Sequence, residues 1–335
     1  MKKLLLLFLV VSVISCNNKK NIPDVSSIKI DMKLKRFEKD FFVMDTNAVA
    51  ASLDSLNEKY PSFLKDYLYN ILGALPQPDS VVKYVGMFKK EYQYVYDASQ
   101  KKIPSFDIYK KQIESGFQFL KYYFPNYKTP AVIITFIGPL DGTANAVTSS
   151  GVAIGLQSYL GKDFPAYQSQ YISDVYPAYK SRRFEPDYIP VNCMKGIVDD
   201  IYPYRGTGRP LIEQIVELGK RLYVLDGLLP EIADSLKTGY TQQQLDGCFK
   251  NEKNIWSYFI ENNLLYETES NLIGVYVNDG PNTPDLGPSS PGFIGQFIGW
   301  QIVKKWMGKN KNVSLTDLMK KDPKELFEES KYKAN

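Results

Sequence analysis

Apolar residues recur at alternating steps of four and three through 209–230: Leu211, Ile215, Leu218, Leu222, Leu225 and Leu229. That spacing places branched aliphatics along one side of a helix, and Ile212 and Val216 widen the stripe, so most of this helix is expected to be buried. Pro210 suits a first helical turn and Pro230 bars continuation. The polar remainder is Glu213, Glu217, Lys220 and Arg221, with Glu217 one helical turn from Lys220 and Arg221.

Other segments read as follows. Ile28, Ile30, Met32 and Leu34 alternate with Lys29, Asp31, Lys33 and Lys35, which predicts a half-buried strand. Helices are expected over 47–58, 61–72, 78–94 and 105–124, the last with Tyr109, Ile113, Phe117 and Leu120 on one face. Residues 131–137, AVIITFI, are uncharged and rich in β-branched side chains, the pattern of a central strand buried on both sides. The turn residues 138–142 and a second strand over 152–156 follow. Helices resume near Pro186, and Thr241 with Gln244 forms a capping box for a helix through Trp256 to Leu265. After a Pro/Gly-rich loop over 278–290, Pro291 opens a helix whose Gly295 and Gly299, four apart, let another helix approach closely. Gly219 is the expected partner. Gln296, Gln301, Lys304 and Lys305 exclude a membrane-spanning reading of that helix, and Ser314 and Pro323 begin two short terminal helices. The sum is an α+β fold, a mostly helical single domain over 28–329 with a small mixed sheet, and a tail over 330–335.

The first residues differ in kind. Lys2 and Lys3 precede an apolar run too short to span a bilayer, and Val13-Ile14-Ser15-Cys16 resembles a bacterial lipobox. The resemblance implies a lipoprotein signal peptide over 1–15, lipid attachment at Cys16 and a tether over 16–27, with several acyl chains giving stable anchoring. No acidic pair follows Cys16, which favours the periplasmic face of the outer membrane. Cys193 and Cys248 sit in apolar helical patterns and read as free core thiols, with a disulfide as the alternative.

Composition changes the picture once: the chain has no histidine. Ser-His-Asp and Cys-His catalysis are thereby excluded, as is a zinc peptidase helix, which needs imidazoles four apart flanking a Glu. Around Glu217 those positions hold Val216 and Lys220. The net charge of +4, half of it from Lys2 and Lys3, is too small to imply nucleic-acid binding. Asn278, Asp279, Asn282 and Asp285 carry oxygens able to meet Ca²⁺, but they lack the order of a calcium loop and read as turn formers. No metal and no cofactor is expected. A hydrolase resting on carboxylates alone, drawing on Asp199, Asp200, Glu213 or Glu217, is one alternative function. Adjacent Asp199 and Asp200 diverge on a helix and do not form a facing pair. A glycan-binding surface lipoprotein, suggested by the 25 tyrosines, is another.

The lipobox, the early KLKRFEKDFF, the helix IVELGKRLYVLDGLLP and the late SPGFIGQFIGWQIVKKWM occur together. As a set they make the chain similar to the gliding motility lipoprotein GldB family of Bacteroidota. The resemblance implies a zincin-like architecture without the metal-binding histidines. It also implies a non-enzymatic, membrane-anchored component of the gliding apparatus, working with other gliding-motility or type IX secretion proteins. No catalytic residue transfers. Glu213, Glu217, Lys220 and Arg221 are the candidate charge cluster of the degenerate site, and Cys16 is the residue carried over as lipid-bearing.

Overall fold

The uncharged run at 131–137 does form the middle of a sheet. The structure, a computed structural model, describes residues 22–148 and 151–334, so Cys16 and the signal peptide expected over 1–15 lie outside the described residues. Four strands, β1 (Lys33–Arg36), β2 (Val132–Phe136), β3 (Asn145–Thr148) and β4 (Gly151–Gly155), lie in the order β1-β2-β4-β3. β2 pairs in parallel with β1 and β4, while β3 closes the edge antiparallel to β4. Ile133, Ile134, Thr135 and Phe136 are all buried, as expected of a strand covered on both faces. Gly151 takes φ +139°, and a Cβ there would strike the Val132 carbonyl, so β4 enters the sheet only as glycine.

The expected strand over 28–35 is shorter than its alternation suggested. Pairing begins only at Lys33, whose N–H donates to the Ala131 carbonyl. Upstream, side chains of the Asp107–Tyr123 helix take over the backbone groups: Met32 N–H donates to Glu114 at 2.8 Å, and Gln118 donates to the Ile28 carbonyl at 2.7 Å. The alternation there records burial against a helix, since Met32 is buried and Ile28 and Ile30 pack on the core.

Two further differences have local causes. The helix expected from Thr241 to Leu265 carries its capping box but breaks at Asn251 into Gln242–Lys250 and Glu252–Glu261. The Asn251 side chain donates to the Gly247 carbonyl at 2.8 Å beside its own backbone N–H, a local side-chain bond of the kind that suits Asn to a helix end. The helix opened near Pro291 starts at Ile294, with Phe293 as its cap at φ +61°. Packing also runs past both ends of 28–329: Val25 and Tyr332 are buried in the one core cluster. Cys193 and Cys248 are free and buried. Among the described residues no helix is long and apolar enough to cross a membrane.

At the centre lies the helix Leu211–Leu228, crossed by Ile294–Lys309 in the most extensive helix–helix contact of the described residues. Their crossing point is glycine on glycine, Gly219 against Gly299, the pairing the sequence spacing suggested. Around them the terminal helices Leu315–Lys320 and Pro323–Ser330 close the core.

Many tyrosines are built into this core with their hydroxyls satisfied. Tyr67 donates to the Ile137 carbonyl at 2.8 Å, and Tyr127, Tyr276 and Tyr332 donate to Asp200, Asp285 and Glu252. Burial, and for the last three the neighbouring carboxylate, pushes these phenols above their ordinary value. Burial likewise raises the Cys193 and Cys248 thiols to about 12. A folded-state pKa above the unfolded one contributes stability that is complete below the unfolded value and is lost as pH rises past it. Lys195 and Lys220, held below the usual ammonium range, shift the other way but are outnumbered. Near pH 9 the two thiols and the two lysines oppose one another, so the denaturant midpoint is expected to begin falling only above about pH 10, where the more numerous unfolded phenols ionise. A midpoint unchanged to pH 11 would show that these groups titrate as if in water.

Candidate functional site

The charged flank of the Leu211–Leu228 helix separates into three arrangements. Glu217 and Lys220 pair at 2.7 Å, with side chains 13% and 1% exposed. The Lys220 ammonium also donates to the Lys321 carbonyl at 2.7 Å and the Met319 carbonyl at 3.4 Å. It thereby ties the link between the two terminal helices to the central one. Burial holds the Lys220 amine below its ordinary pKa, although the Glu217 carboxylate pulls the other way. Arg221, the next residue, turns away. It meets Asp199 at 2.5 Å, donates to the Tyr202 carbonyl and lies over the Tyr204 ring, while its buried Nε has no hydrogen-bond partner among the described residues. Glu213 faces Arg209 at 3.4 Å. The four residues named from the sequence thus share a helix but not a site, because one turn of helix points successive side chains to different neighbours.

The carboxylates of the alternative hydrolase reading are equally dispersed. Asp199 binds Arg221, while Asp200 accepts from Tyr127 at 2.8 Å. In the loop over 278–290, Asp279 pairs with Arg183 and Asp285 accepts from Tyr276 at 2.6 Å. Among the described residues no group of three or more Cys, Asp or Glu side chains converges as a metal site would require.

Two features went unseen in the sequence. Lys237, fully buried, is held by Asp226 and Asp234, each at 2.7 Å, and the Trp300 indole donates to the other Asp226 oxygen at 2.6 Å. This network joins the central helix to its crossing partner. The second feature is a cavity of about 190 Å³ between the Ile189–Ile201 helix, the central helix and the first turn of Ile294–Lys309. Leu218, Leu222, Leu225 and Phe293 supply its apolar wall, and Lys195 and Arg221 its cationic one. Burial, and then the Arg183 guanidinium, lowers the Lys195 amine to about 8, with Asp279 and Asp199 opposing. The available signal was a single Lys in the apolar run CMKGIV, flanked by Met194, Ile197 and Val198.

A larger open groove of about 1020 Å³ runs between the Gln242–Lys250 and Glu252–Glu261 helices and the end of the 278–290 loop. Gln244, Asn251, Tyr258 and Ser290 are among the side chains that line it, with few charges.

Comparison with known proteins supplies what the geometry leaves open. A family model described as gliding motility protein GldB matches residues 18–334, a span that contains the whole of the described fold. No curated protein and no solved structure matches the chain. The match takes in the central helix, its glycine crossing and the terminal helices together, and so the chain belongs to the GldB family of gliding motility lipoproteins.

Proposed function

We propose that the protein is a non-enzymatic component of the gliding machinery, held by lipid on Cys16 at the periplasmic face of the outer membrane and acting through protein contacts. The observation that carries this reading is the family match over 18–334. Its non-enzymatic character is supported by the absence of histidine from the sequence and by the engagement of the candidate carboxylates in internal pairs. A zincin-like ancestry of the central helix fits the same facts. Val216 and Lys220 stand four apart where imidazoles would stand, and the Lys220 ammonium supplies Glu217 with the positive charge a metal would have given. The sparsely charged groove beside Tyr258 suits a protein partner from the gliding or type IX secretion apparatus, since depletion of charge marks the cores of such contacts.

Two strains test this reading. Deletion of the gene is expected to abolish gliding, and Cys16→Ala is expected to move the protein from the membrane to the soluble fraction with the same loss of motility. Normal gliding in the deletion strain overturns the motility role. Turnover of peptides or glycans by the purified protein overturns the non-enzymatic one.

A further inference from the structure

The cavity beside Lys195 has no part in the motility reading, and its charges do not balance internally. Arg221 is met by Asp199, and Arg183 by Asp279. The Gln296 amide is spent on the Thr238 carbonyl at 2.9 Å. Lys195 alone, among the charged groups that face this space, has no hydrogen bond or ion pair with any described residue, and the buried Arg221 Nε beside it also lacks a partner. With Asp199 and Arg221 paired on the same wall, the surroundings therefore hold one positive charge without a counter-ion of its own, while the Arg221 Nε is buried out of reach. The first turn of the Ile294–Lys309 helix, through Phe293 and Gln296, borders the same space and adds the partial positive end of its dipole. The remaining wall is aliphatic and aromatic, and about 190 Å³ equals the space of about six liquid waters.

The Lys195 ammonium, half-buried at the mouth of this cavity, has only water to meet it, and a single anion there gains a charge-assisted hydrogen bond. One uncompensated charge matches a monoanion, and the apolar wall matches a short hydrocarbon better than the polyanionic surface of a phosphate. We propose that this cavity is a binding site for a monocarboxylate carried on a short branched aliphatic group, with Lys195 holding the carboxylate and Leu218, Leu222, Leu225 and Phe293 holding the alkyl portion. Such a carboxylate is available as a free short-chain acid or as the C-terminal residue of a peptide.

Calorimetric titration of the full-length protein with isocaproate and isocaproamide, and with N-acetylleucine and its amide, separates these sources. At least one acid is expected to bind saturably, and its amide roughly tenfold or more weakly. Isocaproate alone binding identifies a free acid, whereas binding of N-acetylleucine identifies a peptide terminus. As pH rises through about 8 the Lys195 amine loses its charge, so binding of the acid is expected to weaken across that range. Lys195→Met is expected to abolish the preference for acid over amide. Lys195→Arg, which keeps the charge, is expected to retain binding without the weakening near pH 8. Failure of both acids to bind, equal binding of acid and amide, or unchanged binding by Lys195→Met each overturns the assignment, whatever the gliding phenotype.

Discussion

Replacing Lys220 with alanine is expected to destabilise the fold by about 3–5 kcal/mol, the usual cost of breaking a buried ion pair from one side. The Lys220 side chain is 1% exposed, and Glu217, 2.7 Å away, has little access to water. Its removal leaves the Glu217 carboxylate without its cation. It also deprives the Met319 and Lys321 carbonyls of their donor, where the chain passes from one terminal helix to the next. At about 2–4 °C per kcal/mol for a domain of this order of size, the melting midpoint should fall by about 10 °C. The double replacement Lys220→Met with Glu217→Gln should recover much of this loss, because no charge is then left uncompensated. Burial already holds the Lys220 amine below its ordinary pKa, so the charged state is itself disfavoured inside the fold. For the same reason this lysine's contribution to stability rises with pH between its lowered folded value and the unfolded value near 10.5, opposite in sign to that of the phenols. An exposed pair would cost less than about 1 kcal/mol. A thermal midpoint unmoved by Lys220→Ala would show the pair to be solvated and would end the view that this ammonium stands in for a lost metal charge.

Gly299→Ala should be comparably damaging for a purely steric reason. A Cβ at Gly299 would overlap the Ile215 carbonyl and crowd the Gly219 nitrogen, and one at Gly219 would overlap the Gly299 carbonyl. The obstacles are helix backbone, not the ends of flexible side chains, so the two helices must separate along their whole contact. Alanine's better helix propensity offers only about 1 kcal/mol in return, whereas forced separation of a packed core costs about 3 kcal/mol or more. Gly308→Ala is the internal control. It lies in the same helix, Ile294–Lys309, and a Cβ there meets nothing within 4 Å. That variant should be neutral or stabilised by up to about 1 kcal/mol. Denaturant unfolding of both variants reads the difference directly, and equal midpoints would sink the close-approach account.

Much of this architecture is legible in the chain because its cues are local. The step of four and three from Leu211 to Leu229, the β-branched run of β2, the capping box at Thr241 and the glycine spacing at Gly295 and Gly299 each reflect a preference carried by a few neighbouring residues. Where a side chain from a distant element takes over a backbone group, the local cue misleads. Met32 and Ile28 bond to a helix some 80–90 residues away and leave the expected strand short. Asn251 ends one helix and begins the next while its side chain bonds the preceding turn, a break that hydrophobic periodicity does not register.

The candidate site was legible only as a set of residue types. The sequence by itself determined that no imidazole chemistry is available, that Val216 and Lys220 flank Glu217, and that the central helix is buried. Which charge meets which was decided by tertiary structure. Lys220 turns to carbonyls about 100 residues on, Arg221 to Asp199, and Lys195 to a cavity closed by Phe293 and Gln296. The physical reason is one of range. Hydrophobic period and helix capping act between residues a turn apart, so sequence order contains them. The partner of a buried charge is whatever group the packed fold brings within about 3 Å, and only three-dimensional packing determines that.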